Sequence, residues 1–414
     1  MMTLTVAKKR RHSRRWMERA TLFLTTCCLF VGSAFSYTTT TLSVDPAYPD
    51  ATLHIPAGYV GAPTQLVLML HGYDSDGAGH ESYFQFLSLI DSRGFLYAHP
   101  DGRLNTYSSR YWDANDSCCV VDGNVGGDED SIYLKSLIEE IQDLHNIDKH
   151  RIHVIGHSNG GMMAYRMACD HAGTIASVAS LAGPGYYDET LCEPSEAVHA
   201  LHIHGTIDGT IAYAGGTIPA SFGLGTLPYP GAVTTTTDWS DRNHCLIDED
   251  NTREDDLDLI FGPQTDTEIT RYASGCDFTG SAELWTIPGE NHVPSIKHPN
   301  FETAILDFFD SHPKHRIGFA DKDTLTWPAI AGSEQYNVYR GFVSGLPGAN
   351  YGNCVSQSDP DDTDLVFEDL EVPDPTDGFT YLTTYLDDFS RPAEENSVGY
   401  TSAGVQRISP PECP

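Results

Sequence analysis

From about residue 50 to residue 313, short apolar runs bounded by Gly or Pro alternate with segments of helical periodicity. LVLML (66–70), FLYAHP (95–100), RIHVIG (151–156), SVASLAG (177–183), ALHIHG (200–205) and ELWTIPG (283–289) have the length and apolar continuity of buried strands. SIYLKSLIEEIQDLH (131–145), GGMMAYRMACD (160–170) and FETAILDFFDSH (301–312) read as helices, the first with Ile132, Leu134, Leu137, Ile138 and Ile141 as its apolar stripe. Strands that alternate with helices cannot be joined by hairpins. The pattern therefore predicts an α/β fold, a mostly parallel sheet with helices on both faces. After HPKHRIG (312–318) the pattern changes: TLTWPAI, QYNVYRG, LVFEDL and FTYLTTYL are β-rich runs separated by Gly, Pro and Asp turns. They predict a small all-β sandwich over 316–414.

Within the α/β region, VIGHSNGGMMAY (154–165) sets Ser158 between glycines where a strand gives way to a helix. Gly156-His157-Ser158-Asn159-Gly160 fits G-x-S-x-G in the context that motif requires, a sharp turn raising the hydroxyl above the sheet at a helix N-terminus. A serine hydroxyl needs a base, and the base an orienting carboxylate, in the chain order Ser, acid, His. ALHIHG runs into GTIDGT, which puts Asp208 in the loop at a strand's carboxyl end, and ELWTIPG runs into GENHVP, which puts His292 in the equivalent loop. His202 and His204 lie inside a strand, His244 precedes a cysteine in an insertion, His298 falls past the last strand's end, and His71 and His157 hold scaffold positions. The expected oxyanion donors are the backbone N–H groups of Asn159 and of Tyr73, in the HGYDSDG loop after LVLML. Trp112, Tyr229 and Trp239 are candidates for an acyl or aromatic pocket, with ordinary core or surface aromatics as the competing reading. Asp74 and Asp76 form a solvated turn rather than a calcium loop, and DEDNTREDDLD (248–258) a charged surface insertion held by a disulfide. No metal or other cofactor is expected.

Residues 1–36 have the layout of an export signal. Lys8, Lys9, Arg10, Arg11, Arg14 and Arg15 precede the apolar TLFLTTCCLFVG, and small residues follow at Ser33–Ser36. The alternative, a membrane anchor, asks for a longer span. The chain of 414 residues carries a formal charge of −34, and losing 1–36 brings it to about −40. So acidic a surface excludes nucleic acid and anionic membranes as partners. Of ten cysteines, Cys27 and Cys28 leave with the signal, and the remaining eight point to disulfides. Cys354 pairs with Cys413 and Cys245 with Cys276 in this reading. The pairing of Cys118, Cys119, Cys169 and Cys192 stays open, and no CxxC spacing supports zinc.

HGYDSDGAGHESYF, FLYAHPDG, the CC after YWDAND, IDKHRIHVIGHSNGGMMAYRMAC, HIHGTIDGTIAYAGG and ELWTIPGENHVP follow in this order over about 50–312. Together they resemble the secreted polyhydroxybutyrate-depolymerase/feruloyl-esterase family of α/β-hydrolases. WPAIAG, YNVYRG and FTYL resemble the fibronectin type III-like modules appended to secreted hydrolases. The resemblance implies a signal peptide at 1–36, an α/β-hydrolase catalytic domain at 37–315 and a sandwich at 316–414. It also implies Ser158, Asp208 and His292 as a catalytic triad. The expected protein is an extracellular, monomeric ester hydrolase. Its substrates would be polyhydroxyalkanoate or another polyester, or feruloyl and acetyl esters of plant polysaccharide. One departure stands beside the histidine: many relatives carry GGGH-W-P where this chain has GENHVP. A serine peptidase of the same fold, and a non-catalytic surface protein that binds a polymer, are the competing functions.

Overall fold

The computed structural model describes residues 37–119, 127–218, 227–246, 257–261, 267–274, 276–277 and 280–314, with the backbone of short strands at 252–255 and between 318 and 387. Contacts divide the chain into units Met1–Phe35 and Ser36–Pro414. The first unit, and the export-signal reading of 1–36 with it, lies outside the described residues. Among the described residues no helix is long and apolar enough to cross a membrane.

Ten strands make one sheet. In chain order they are β1 (Thr38–Leu42), β2 (Ala51–Ile55), β3 (Thr64–Leu70), β4 (Leu96–His99), β5 (Ile147–His157), β6 (Ser177–Leu181), β7 (His199–Gly205), β8 (Thr252–Asp255), β9 (Thr267–Tyr272) and β10 (Ser281–Ile287). Across the sheet the order is β1-β2-β4-β3-β5-β6-β7-β10-β9-β8. The six central strands run parallel, and antiparallel pairs close both edges. All six central strands are legible in the sequence because they are continuous apolar runs. The edge strands are not: β1 is TTTTL with only Leu42 buried, and β8 lies within the acidic run read as an insertion.

Helices α1 (Gly77–Phe84), α2 (Glu129–Leu144), α3 (Asn159–Asp170), α4 (Ala232–Arg242) and α5 (Asn300–Ser311) accompany the sheet. Alternate residues of β3 serve opposite faces. Leu66, Leu68 and Leu70 pack with Leu134, Leu137, Ile138 and Ile141 of α2 and with Met163 and Met167 of α3. Val67 and Met69 pack with Phe84 of α1 and with Phe301, Ile305 and Phe309 of α5. Truncating one such buried aliphatic to alanine costs about 2–5 kcal/mol. The stripe expected on α2 needs one correction: Ile132 is 53% exposed, and Tyr133 takes its place among the buried residues. The helical angle decides this, since Ile132 is a half-turn away from Leu134.

β3 and β5 are neighbours, yet the chain visits β4 on one side of β3 before returning to β5 on the other. The order in which the chain adds strands reverses between these two parallel strands, and such a switch point opens a crevice at the carboxyl ends. The register Leu70↔Gly156 brings the end of β3 against the turn that follows β5.

Cys245 pairs with Cys276, as read from the sequence. The four cysteines left open pair as Cys118–Cys119 and Cys169–Cys192. Separations of 23 residues for Cys169–Cys192 and 31 for Cys245–Cys276 correspond to about 3.5 kcal/mol each in the chain-entropy account. Backbone strands Gly318–Phe319, Thr324–Thr326 and Val366–Glu368 form one antiparallel sheet, and Ser333–Phe342, Asn353–Cys354 and Phe379–Asp387 another. They fall in the segment read as a sandwich, much of which, with Cys413, lies outside the described residues.

Candidate active site

β5 ends at His157 and α3 begins at Asn159, so the whole reversal is made at Ser158, with φ 54° and ψ −120°. A non-glycine residue held there costs on the order of 1–3 kcal/mol. Two glycines make room for it. A Cβ at Gly156 would run into the carbonyl oxygen of Gly160, and a Cβ at Gly160 into that of Leu70. Ser158 N–H donates to Leu181 O at 2.8 Å, and Ser158 O accepts from Met162 N at 3.0 Å, which fixes the turn from both sides.

Asp208 follows β7 and is buried. Its Oδ1 accepts from the N–H groups of Thr210 and Ile211, both at 2.8 Å. Its Oδ2 lies 2.7 Å from His292 Nδ1 and 3.2 Å from His204 Nε2. Burial alone would push this carboxyl up. Hydrogen bonds from His204 and His292, the charge interaction with His292 and the Ile211 N–H outweigh it and hold the group well below the usual carboxylate range. His292 follows β10, and its Nε2 is 2.9 Å from Ser158 Oγ. The structure thus brings together all three residues picked out from strand ends in the sequence.

His157 is buried and lies beside His292. Burial, with His292 and His80 beside it, holds it well below the usual imidazole range. As a neutral donor, its Nε2–H reaches the backbone oxygen of His292 at 2.8 Å and pins the loop that carries the imidazole. His71 is equally internal, with Nε2 accepting from Gly102 N at 2.9 Å. Asp76 caps α1, its Oδ1 accepting from Gly79 N at 2.7 Å.

A cavity of about 320 Å³ opens at Ser158. Tyr73, Asn159 and His292 form its polar end, and Met162, Ile211, Ile218 and Val293 supply aliphatic wall. Asn159 is the first residue of α3, so its N–H has no carbonyl one turn earlier in that helix to bond. The Asn159 side chain is engaged elsewhere. Its Oδ1 accepts from Trp112 N and its Nδ2 donates to Trp112 O, both at 2.8 Å. The same Nδ2 lies 3.4 Å from Cys119 Sγ, and Cys118 lines the cavity.

The three aromatic pocket candidates are corrected. Trp112, Tyr229 and Trp239 are buried and are not among the residues that line the cavity. Trp112 Nε1 donates to His71 O at 3.0 Å, Tyr229 OH accepts from Ala212 N at 2.9 Å, and Trp239 stacks on Tyr165. Their ring area is spent on packing. The lining residues missed by sequence reading sit next to those found: Met162 is four residues past Ser158, Ile211 three past Asp208, and Val293 follows His292. His204 was also missed. It shares a strand face with His202, and two histidines on a core-facing row signal buried groups that need partners.

Residues 65–212 match the family model described as alpha/beta hydrolase fold. The chain is 29% identical over 162 residues to a bifunctional acetylxylan esterase/xylanase of Neocallimastix patriciarum, a stretch covering 39% of this chain and 22% of that protein. It is 24% identical over 182 residues to a poly(3-hydroxyalkanoate) depolymerase C of Paucimonas lemoignei, covering 43% of this chain and 42% of the relative. It is 25% identical over 194 residues to a feruloyl esterase B of Piromyces equi, covering 46% and 34%. The chain therefore spans less than half the length of these curated relatives. The matched stretch holds Ser158 and Asp208 and, with the sheet order above, gives the chain the α/β-hydrolase fold.

Proposed function

We propose that this α/β-hydrolase-fold protein is an exported serine ester hydrolase that cleaves carboxylic esters attached to polymers: acetyl or feruloyl groups on plant polysaccharide, or a polyester such as polyhydroxyalkanoate. The observation that carries the reading is His292 standing between Ser158 Oγ at 2.9 Å and Asp208 Oδ2 at 2.7 Å. The ester chemistry named for the relatives supports it, as do the export-signal pattern and the disulfides.

In this mechanism His292 Nε2 takes the Ser158 proton as Oγ attacks the ester carbonyl carbon. Asp208 holds Nδ1–H, so that Nε2 is the free base, and stabilises the imidazolium that forms. The carbonyl π-electrons move onto oxygen, and the N–H groups of Tyr73 and Asn159 receive the oxyanion. The tetrahedral intermediate collapses, the C–O bond to the alcohol breaks, and His292 returns the proton to the leaving oxygen. Water, deprotonated by His292, then attacks the acyl-enzyme, releases the acid and restores Ser158. No cofactor enters these steps. The aliphatic wall suits an apolar acyl or alcohol group, and residues 316–414 serve as an appended spacer or polymer-binding module on a monomeric chain.

The purified exported protein is tested on p-nitrophenyl acetate, methyl ferulate, acetylated xylan and a polyhydroxybutyrate suspension, beside Ser158→Ala. Hydrolysis of at least one of them, lost by on the order of 10⁶ in the variant, is the expected result. A folded wild type that cleaves none, or a variant as active as wild type, overturns the reading.

A further inference from the structure

The carboxylate of Asp208 has a second imidazole behind it. His204 Nε2 lies 2.8 Å from the carbonyl oxygen of Ile211 and 3.2 Å from Asp208 Oδ2. A carbonyl oxygen only accepts, so Nε2 of His204 carries hydrogen, shared between that oxygen and Asp208. In the neutral ring, Nδ1 must then accept, and the atom facing it is His202 Nε2 at 3.0 Å. His202 in turn carries its hydrogen on Nε2 and accepts at Nδ1, where Tyr165 O–H lies at 3.0 Å. Burial holds His202 well below the usual imidazole range, which keeps it in the one-proton form this pattern needs. Tyr165, His202 and His204 are all buried. The single carbonyl of Ile211 thus fixes every tautomer along the row, and every donor in it points toward Asp208.

We propose that Tyr165, His202 and His204 form a directed hydrogen-bond chain that positions Asp208 and holds its charge, making His204 a positioning residue for the reaction. The proposal rests on the ester-hydrolase reading for its kinetic consequence, not for its geometry. Asp208 Oδ1 is already held by two backbone N–H groups, so the carboxylate stays anchored without His204. What His204 adds is a second donor on the oxygen that faces His292. Donors in series polarise one another, so the chain delivers more than its last bond. Removing it leaves Oδ2 with more negative density, and the Asp208–His292 pair then binds a proton more tightly. The acid limb of the rate profile then moves to higher pH.

The titratable groups around this unit come from several elements. His204 is on β7, His292 follows β10, and His157 ends β5 within electrostatic range of Asp208. Tyr213 packs edge-on against His204 at 5.6 Å, with its hydroxyl engaged by Thr286. His157 and Tyr213 are both retained in the His204 variants, and His204→Phe keeps an aromatic ring against Tyr213, so the shift reports the chain.

The test compares the pH profile of kcat/KM on p-nitrophenyl acetate, and the thermal midpoint, for wild type, His204→Phe and His204→Gln. In His204→Phe the acid limb should move up by about one pH unit, equal to a tenfold rise in proton affinity of the pair. His204→Gln, whose amide N–H reaches the Nε2 position, should bring the limb most of the way back. A limb that stays in place in a folded His204→Phe, with only the midpoint lowered, overturns the proposal and leaves His204 as core filling. Ring ¹⁵N shifts of the wild-type protein give an arm independent of activity and of variant folding. Both His202 and His204 should be protonated on Nε2 and bare on Nδ1. A His204 protonated on Nδ1 alone overturns the chain even if no ester is hydrolysed, so its failure is separable from failure of the functional reading.

Discussion

Replacing Asn159 with alanine separates the two roles this residue holds. Its N–H belongs to the backbone and survives the change. Its side chain, bonded to both the N–H and the carbonyl of Trp112 at 2.8 Å, does not. Trp112 is fully buried, so both backbone groups lose their partner where water does not replace it. Each buried group left unpaired costs about 1–3 kcal/mol, so Asn159→Ala should lose about 2–6 kcal/mol of stability. The rate should fall far less than in Ser158→Ala: about tenfold, from slackening of the loop that carries Cys118 and Cys119, against on the order of 10⁶. Urea unfolding followed by tryptophan fluorescence gives the first number, and kcat/KM on p-nitrophenyl acetate the second. Asn159→Asp is the sharper companion. It keeps the acceptor for Trp112 N but sets an oxygen against Trp112 O, and should be no more stable than the alanine variant. A loss below about 0.5 kcal/mol would show that the paired hydrogen bonds to Trp112 carry nothing. A rate as low as that of Ser158→Ala in a folded protein would remove Asn159 N–H from the oxyanion assignment.

Gly160→Ala forces a methyl group onto the Leu70 carbonyl oxygen, and the turn at Ser158 must move. Activity should fall at least a hundredfold with a lowered thermal midpoint, and a variant within twofold of wild type would refute the steric argument. Asp208→Asn should lower kcat by about 10⁴, the scale set by losing the acid of a triad. Because the folded carboxyl of Asp208 is depressed, its contribution is full above the unfolded value near 4, begins to fall below it and is gone only below the depressed folded value. Urea midpoints of wild type and Asp208→Asn should therefore start to draw together on going from pH 6 to pH 3. His157→Phe removes the donor to His292 O and should slow labelling of Ser158 by a fluorophosphonate about tenfold. Unchanged labelling would mean that the His292 loop holds itself.

The readable parts of this chain are those where burial and chemistry leave a one-dimensional trace. Leu66–Leu70 is a strand because both faces are covered, so every residue is apolar. Ser158, Asp208 and His292 stand at strand ends, and strand ends can be counted. The edges leave no such trace: Thr38–Leu42 is held by pairing to Ala51–Ile55, a property of its neighbour. Trp112 and Trp239 could not be placed from sequence, because hydropathy is the same for a packed ring, a cavity wall and a surface aromatic; the structure buries both. Cys245–Cys276 flanks a single insertion and could be paired by position alone. Cys169–Cys192 joins the end of α3 to a loop past β6, which needs the crossover in space.

The strand order has a consequence for when the protein can act. Ser158 and His292 are separated by 134 residues and Asp208 and His292 by 84, and they meet only because β5, β6, β7 and β10 lie side by side. Contacts so distant along the chain form late and slowly. Synthesis runs from the N-terminus, and β10 is the last strand of the ten-stranded sheet to emerge, with α5 after it. Until they dock, the base proposed for Ser158 is missing from its side. On the proposed reading the nascent chain is inert toward esters until then, and the appearance of turnover would mark the closing of the sheet.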